Sequence, residues 1–243
     1  MKYLFIIICF IHATGCLGQG ISGSELLDKA IEYHDPNNNW HSFKNDFTVT
    51  MESPKGDIRK SLINIDRPAS SFKLTTNMAG KTLEQIMVRD TCILKIDGKA
   101  IISEKDRATH NISCERSKKM RDYYTYLYGL PMKLKDPGTL LDPLVDTKTF
   151  KGKNYLVLKV TYSKEVGTDT WYFYFNPSSY AMEAYQFFHD ESKNDGEYIL
   201  LSGEEIINNV KIPKTRAWYY NKNDQYLGTD ILSKLSQGKP ARH

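Results

Sequence analysis

Residues 154–162 read NYLVLKVTY, 169–188 read DTWYFYFNPSSYAMEAYQFF, 197–209 read EYILLSGEEIINN and 210–220 read VKIPKTRAWYY. Aromatic and aliphatic side chains crowd both faces of these consecutive strands. A half-solvated antiparallel sheet alternates apolar with polar residues, so two apolar faces mean that one side packs while the other either packs or encloses something apolar. If the turn at Asn176-Pro177-Ser178-Ser179 pairs Phe175 with Tyr180, one face carries Trp171, Phe173, Phe175, Tyr180, Met182 and Ala184, and the other carries Tyr172, Tyr174 and Glu183. The first set is the candidate lining of a hydrophobic interior. The Asn208-Asn209 turn likewise groups Tyr198, Leu200, Ala217 and Tyr219 against Ile199, Leu201, Arg216 and Trp218, with neither face preferred.

Upstream, turn signals at Pro54-Lys55-Gly56-Asp57, Arg67-Pro68-Ala69, Ala79-Gly80 and Asp97-Gly98 divide a meander. Its expected strands are 43–52, 58–65, 71–78, 82–89, 91–96 and 99–103. Ahead of it, Ser22 and Glu25 have capping-box spacing, and Leu26, Leu27, Ala30, Ile31 and Tyr33 line one face of a helix over 24–34 that Asp35-Pro36-Asn37 stops. Between the two runs of strands, Met120, Tyr123, Tyr124, Leu127 and Leu130 recur at helical spacing over 117–130 before Pro131. This second helix is either a connection packed on the sheet or a lid, with Tyr124 and Leu127 covering the interior. Asp136-Pro137-Gly138-Thr139 and Asp142-Pro143 bracket a short apolar stretch, Leu140-Leu141, read as part of the same connection.

Lys2 followed by the apolar run YLFIIICFI over 3–11 reads as a secretory signal over residues 1–18. A bilayer span needs ~20 apolar residues, and nothing in the chain reaches that length. Residues 13–16, Ala-Thr-Gly-Cys, resemble a lipobox, which would make Cys16 the lipidated N-terminus; ordinary cleavage between Gly18 and Gln19 would discard it. Residues 19–24 then serve as a flexible tether, 25–235 as a single β domain, and 236–243 as a disordered tail. Export permits Cys92 and Cys114 to pair, or they stand as two buried thiols. A net charge of +4 with interspersed acids does not imply nucleic acid, and Arg116-Ser117-Lys118-Lys119 is either a solvated helical face or a weak site for anionic head groups.

A signal, a leading helix, a meander, a helical interruption and a second run of strands together resemble the LolA/LolB superfamily of lipoprotein carriers. In detail, Trp171 to Phe175, Gly196-Glu197-Tyr198 and 213–219 (PKTRAWY) resemble an uncharacterised family of secreted proteins from outer-membrane-bearing bacteria related to that superfamily. The resemblance implies an incomplete antiparallel β-barrel of about eleven strands wrapped around helices, with the helices against the concave face and an interior that accepts acyl chains. The implied partner is a lipid or acylated protein in the periplasm or at the outer membrane.

Retaining an acyl chain away from a membrane demands ~0.8 kcal/mol per methylene, which calls for a dry apolar cavity. The 3 Trp, 10 Phe and 16 Tyr residues supply suitable rigid surface. They could equally fill a solid core, which leaves a polypeptide-binding or sensor module as the second class of function. Catalysis has little behind it. His34-Asp35, His189-Asp190, Asp190-Glu191 and Glu204-Glu205 have no supporting context, His34 and His189 being read as solvated surface residues, and HExxH, GxSxG, P-loop and CxxC signatures are missing from the sequence. No cofactor and no metal is called for.

Overall fold

The structure, a computed structural model, describes residues 20–100 and 103–235. The signal segment, Cys16 and residues 236–243 lie outside the described residues. Twelve antiparallel strands form one sheet: β1 (Lys44–Glu52), β2 (Ile58–Asp66), β3 (Ser71–Met78), β4 (Lys81–Val88), β5 (Thr91–Ile96), β6 (Thr139–Phe150), β7 (Lys153–Tyr162), β8 (Thr170–Phe175), β9 (Met182–Phe188), β10 (Glu197–Ile207), β11 (Val210–Tyr220) and β12 (Tyr226–Lys234). Their spatial order is β5-β4-β3-β2-β1-β12-β11-β10-β9-β8-β7-β6. Two meanders are thus joined where β12 returns beside β1, Val49 opposite Leu232. Strands β5 and β6 remain as free edges, so the barrel is incomplete.

Short-range chemistry sets most of this. Ala79-Gly80, Lys151-Gly152 and Asn208-Asn209 all take positive φ at both positions, the geometry of two-residue turns whose twist matches the flanking strands. Asn tolerates that region because its short polar side chain bonds locally.

Helix α1 (Gly23–His34) begins with a complete capping box between Ser22 and Glu25 and buries Leu26, Leu27 and Ala30. Its start reaches into the stretch read as a tether. Gly23 is required there, because a Cβ would stand 2.0 Å from the Asp142 carbonyl oxygen of β6. Helix α3 (Cys114–Gly129) is capped by Ser113, whose side chain accepts from the Arg116 amide, and it buries Tyr124, Leu127 and Tyr128. It packs on β3, β4, β5 and β11, and α1 packs on β6, β7 and β11. Both helices fill the concave side.

Two features differ from the expectations. Among the described residues of the expected strand 99–103, none lies in a strand: Lys99 makes an isolated bridge to Ile96 and Ser103 caps a helix α2 (Glu104–His110), while 101 and 102 lie outside the described residues. The Ser103-x-x-Asp106 spacing was the available signal. Strand β6 runs straight through Asp142-Pro143, with a register shift between Leu141 and Val145 that absorbs the proline. An edge strand permits this, because a missing N–H there leaves no partner strand unsatisfied. With β6 the sheet has twelve strands among the described residues, in keeping with an incomplete barrel of about eleven.

Candidate functional site

The β8–β9 hairpin carries most of the residues expected to line the interior, but its register differs. Its loop is longer than the assumed turn: the Asn176 amide donates to the Ala181 carbonyl and the Tyr180 amide to the Asn176 carbonyl. Phe175 therefore faces Met182, Phe173 faces Tyr185 and Trp171 faces Phe187, with a shift between Tyr174 and Phe175. Two assignments change. Ala184 sits opposite Tyr174 on the convex side, and Tyr180 stays in the loop at φ 63°, its ring 5.1 Å from the Lys29 ammonium of α1. Tyr185 and Phe187 take their places on the concave side.

Phe173 and Phe175 are fully buried, Met182, Tyr124 and Leu127 nearly so, and all join one core cluster against which Trp171 and Tyr180 pack. The expected cover is also redistributed. Tyr124 stacks on Phe72 of β3, whereas Tyr126 meets Trp171 at 5.5 Å between centroids, and Tyr123 stacks on Trp218. Tyr126 falls off the single apolar stripe read from the sequence. A helix lying in a trough is contacted on more than one side, so its flanks carry contacts that one-face periodicity omits.

Where α3 ends, a charge is buried beneath it. Arg216 of β11 is fully buried, donating from one Nη to the Pro213 carbonyl at 2.8 Å and from the other to the Leu127 carbonyl at 3.1 Å. Its guanidinium lies 4.0 Å from the Tyr128 ring centroid. The Leu127 oxygen belongs to the last turn of the helix, whose carbonyls lack intrahelical donors and attract a cation. Arg216 Nε and the hydroxyls of Tyr128 and Tyr185 are buried without a hydrogen-bond partner among the described residues. Nearby Asp230 accepts from the Trp218 indole at 3.2 Å, and burial pushes its carboxyl up against the opposing influence of Arg216. The contact between α3 and the β11–β12 wall is thus polar and incompletely satisfied.

Two clefts open on either side of α3, sharing Arg121 and Thr125. One, of about 770 Å³, lies against β6–β8 and is lined by Tyr126, Tyr162, Val166 and Trp171 together with Lys133, Asp136 and Asp169. Tyr126 and Tyr162 are hydrogen-bonded through their hydroxyls, and burial pushes the Tyr162 phenol up to about 12. Of the residues expected to line the interior, only Trp171 reaches this cleft. Behind it the aromatic series continues to Phe173 and Phe187 at 6.0 and 4.8 Å. The other cleft, of about 680 Å³, lies against β2–β4 with Ile65 and Phe72 in its wall and Arg67 and Arg89 beside Arg121.

The second apolar face has a different cover. Tyr155, Val157, Tyr174 and Ala184 form a convex cluster with Phe150 and Tyr172, roofed by lysines. Lys148 and Lys159 stand 4.8 and 5.4 Å from the Tyr172 centroid, and Lys151 stands 4.3 Å from that of Tyr198. In the next hairpin, Tyr198 and Leu200 lie opposite Tyr219 and Ala217 on this same side. Ile199 and Leu201 belong to the concave core instead.

Cys92 and Cys114 form a disulfide that ties the first residue of α3 to β5, their Cα atoms 5.7 Å apart. His34, read from the sequence as solvated, is buried. Its Nδ1 bonds the Lys211 carbonyl at 2.7 Å and its Nε2 accepts from the Met182 amide at 3.0 Å, so a neutral ring joins α1 to β9 and β11. Burial holds its pKa below the usual value. Asp35 is buried too, accepting from the Asn39 and Trp40 amides. The other candidate pairs diverge: Glu204 accepts from Tyr33, Glu205 pairs with Lys214, Glu191 with Lys159, and exposed His189 with Asp169. Among the described residues, no group of three His, Cys, Asp or Glu side chains could hold a metal ion, and no helix is long and apolar enough to cross a membrane.

The sequence matches, over residues 1–234, a family of unknown function, DUF6503. No curated protein matches it. The structure is similar to that of a LolA superfamily protein from Nitrosomonas europaea, with a TM-score of 0.54 and 12% identity over 88% of this chain and 93% of that one. A domain from Vibrio parahaemolyticus described as an outer membrane lipoprotein-sorting protein aligns with a TM-score of 0.48 and 9% identity, over 88% and 94% of the two chains. A DUF1329 family protein from Desulfovibrio piger aligns with a TM-score of 0.44 and 9% identity, over 90% and 95%. At such identities the likeness concerns the fold, and the fold is LolA-like.

Proposed function

We propose that this chain, which belongs to DUF6503, is a cell-envelope protein that binds the acyl chain of a lipid or lipoprotein between α3 and the β7–β9 wall. The observation that carries the reading is Trp171. It lines an open cleft of about 770 Å³ and lies 6.0 Å from fully buried Phe173 and 4.8 Å from half-buried Phe187, between centroids. An acyl chain entering there meets the rings of Tyr126, Tyr162 and Trp171 among polar lining residues, with the aromatic core behind Trp171. The leader over residues 1–18 supports export, and lipidation at Cys16 would hold the protein at a membrane.

In this reading α3 is a lid. Uptake separates Tyr126 from Trp171 and extends the cleft towards Phe173, Phe175 and Met182, with Tyr180 beside the loop and Tyr124 and Leu127 carried on the moving helix. The Arg216 bonds at the end of α3 are the polar contacts that opening breaks, and the unpartnered hydroxyls of Tyr128 and Tyr185 lower the stability of the closed state. A second reading, a polypeptide-binding or sensor module built on a solid core, draws on the complete burial of Phe173, Phe175 and Tyr185.

Saturable uptake of a fluorescent fatty acid, together with native mass spectrometry and solvent extraction of protein purified from its own host, separates the two. A copurifying lipid, and uptake weakened by Trp171→Ala, are expected. An empty protein with no saturable uptake would favour the second reading. For the anchor, Cys16→Ala is expected to move the protein out of the membrane fraction; identical partitioning of variant and wild type would place Cys16 in the discarded leader.

A further inference from the structure

We infer that the cleft on the β2–β4 side of α3 is a subsite for the phosphate head group of the bound amphiphile, held by Arg67, Arg89 and Arg121. The inference rests on the acyl-binding reading above and names the class of ligand. Three guanidinium groups line one cleft of about 680 Å³ whose wall includes Ile65 and Phe72. Both wall residues are core, and Phe72 stacks on Tyr124 of α3 at 6.2 Å, so apolar surface leads from the arginines towards the helix.

The three arginines are poorly partnered. Among the described residues neither Arg67 nor Arg89 makes an ion pair, whereas Arg121 engages Asp122 through Nε and the Arg89 carbonyl through one Nη. Arg67 Nε is buried with no hydrogen-bond partner, and its guanidinium is held 5.0 Å from the Trp40 ring centroid. A buried donor left unmade is costly, and a guanidinium satisfies it best with an oxyanion, which it meets through parallel N–H groups. The three arginines outnumber the two acids in the lining, exposed Asp90 and Asp66, which is paired with Lys44 at 2.9 Å. Three arginines lining one cleft suit a phosphate, with several acceptor oxygens, better than a carboxylate with two. Arg121 also lines the Trp171 cleft, so it connects the head-group position to the acyl entrance.

The test measures binding of oleoyl lysophosphatidate, mono-oleoylglycerol and inorganic phosphate to the full mature chain. The first two share an acyl chain and differ in the phosphate. Wild type is expected to bind oleoyl lysophosphatidate at least about tenfold more tightly than mono-oleoylglycerol. Arg67→Gln and Arg89→Gln are each expected to reduce that preference while leaving mono-oleoylglycerol affinity unchanged. Arg89 is exposed, so its variant keeps the test valid should Arg67→Gln unfold, and thermal melts identify that case. Equal affinities for both amphiphiles, unaltered in the variants, would overturn the head-group subsite and leave acyl binding standing. Saturable binding of inorganic phosphate without either amphiphile would overturn both, the site then serving a free anion.

Discussion

Tyr172 and Phe173 are neighbours on β8, yet they belong to different physical environments. Phe173 points to the concave side, where Tyr185 opposes it and the helices complete its burial. Tyr172 points to the convex side, half-buried beneath Lys148 and Lys159, with its hydroxyl bonded to Glu191. Both faces read as apolar, and both are covered. One cover is secondary structure that could be displaced as a unit; the other is a layer of long side chains whose methylenes shield aromatic rings while their ammonium groups stay in water. A sheet can thus be aromatic on two sides without enclosing two cavities.

The largest expected break in that comparison comes from truncating the two neighbours. Phe173→Ala removes a fully buried ring and is expected to cost about 3–5 kcal/mol in chemical denaturation, whereas Tyr172→Ala is expected to cost far less. Fatty-acid uptake measured alongside should fall in the Phe173 variant alone; equal destabilisation by both would mean that the lysine layer holds its rings as firmly as the helices do.

The anchoring of the concave cover comes next. Cys92→Ser with Cys114→Ser frees the start of α3 from β5, and closing a loop of this size stabilises a fold by about 3 kcal/mol. Reduction of the wild type should give a similar loss in a denaturant titration and leave the double variant unchanged.

His34 sharpens the comparison through pH. Its folded pKa lies below the unfolded value because the buried ring resists charging, so the unfolded state binds more protons in acid. Its contribution is complete above the unfolded pKa near 6.5 and is lost as pH falls towards the folded value. Wild type is therefore expected to lose more stability between pH 7 and pH 5 than His34→Gln, which cannot titrate; parallel profiles would show that His34 does not carry the acid sensitivity.

The smallest effect belongs to the convex roof. Lys159→Ala removes one cation over Tyr172 and a pairing with Glu191, and thermal melts should register a change of no more than about 0.5 kcal/mol. A larger loss would make the roof a structural layer equal to the helical one.

Much of this architecture was legible in local chemistry. Ser22 and Glu25 announce α1, the Asn208-Asn209 turn fixes the register of β10 against β11, and the alternation along β8 separates Phe173 from Tyr172. The departures arose where a distant element supplied the missing term. Pro143 looks like a strand stop until β6 is known to be an edge, and His34 looks solvated until β9 and β11 close over it. Arg216 carried no sequence signal as a cap for α3, because the carbonyl it bonds comes from Leu127, far away in the chain.

Two meanders, an interrupting helix, a capped leading helix and a wall of strands apolar on both sides follow from local sequence, because turn chemistry, capping and two-residue periodicity act between near neighbours. Long-range packing settles which apolar face of the β10–β11 hairpin turns inward, where α3 lies, and that clefts open beside it, one lined by Trp171 and the other by three arginines. Those outcomes depend on contacts between strands and helices far apart in the chain, and no local pattern encodes which of two equally apolar surfaces a distant helix will cover.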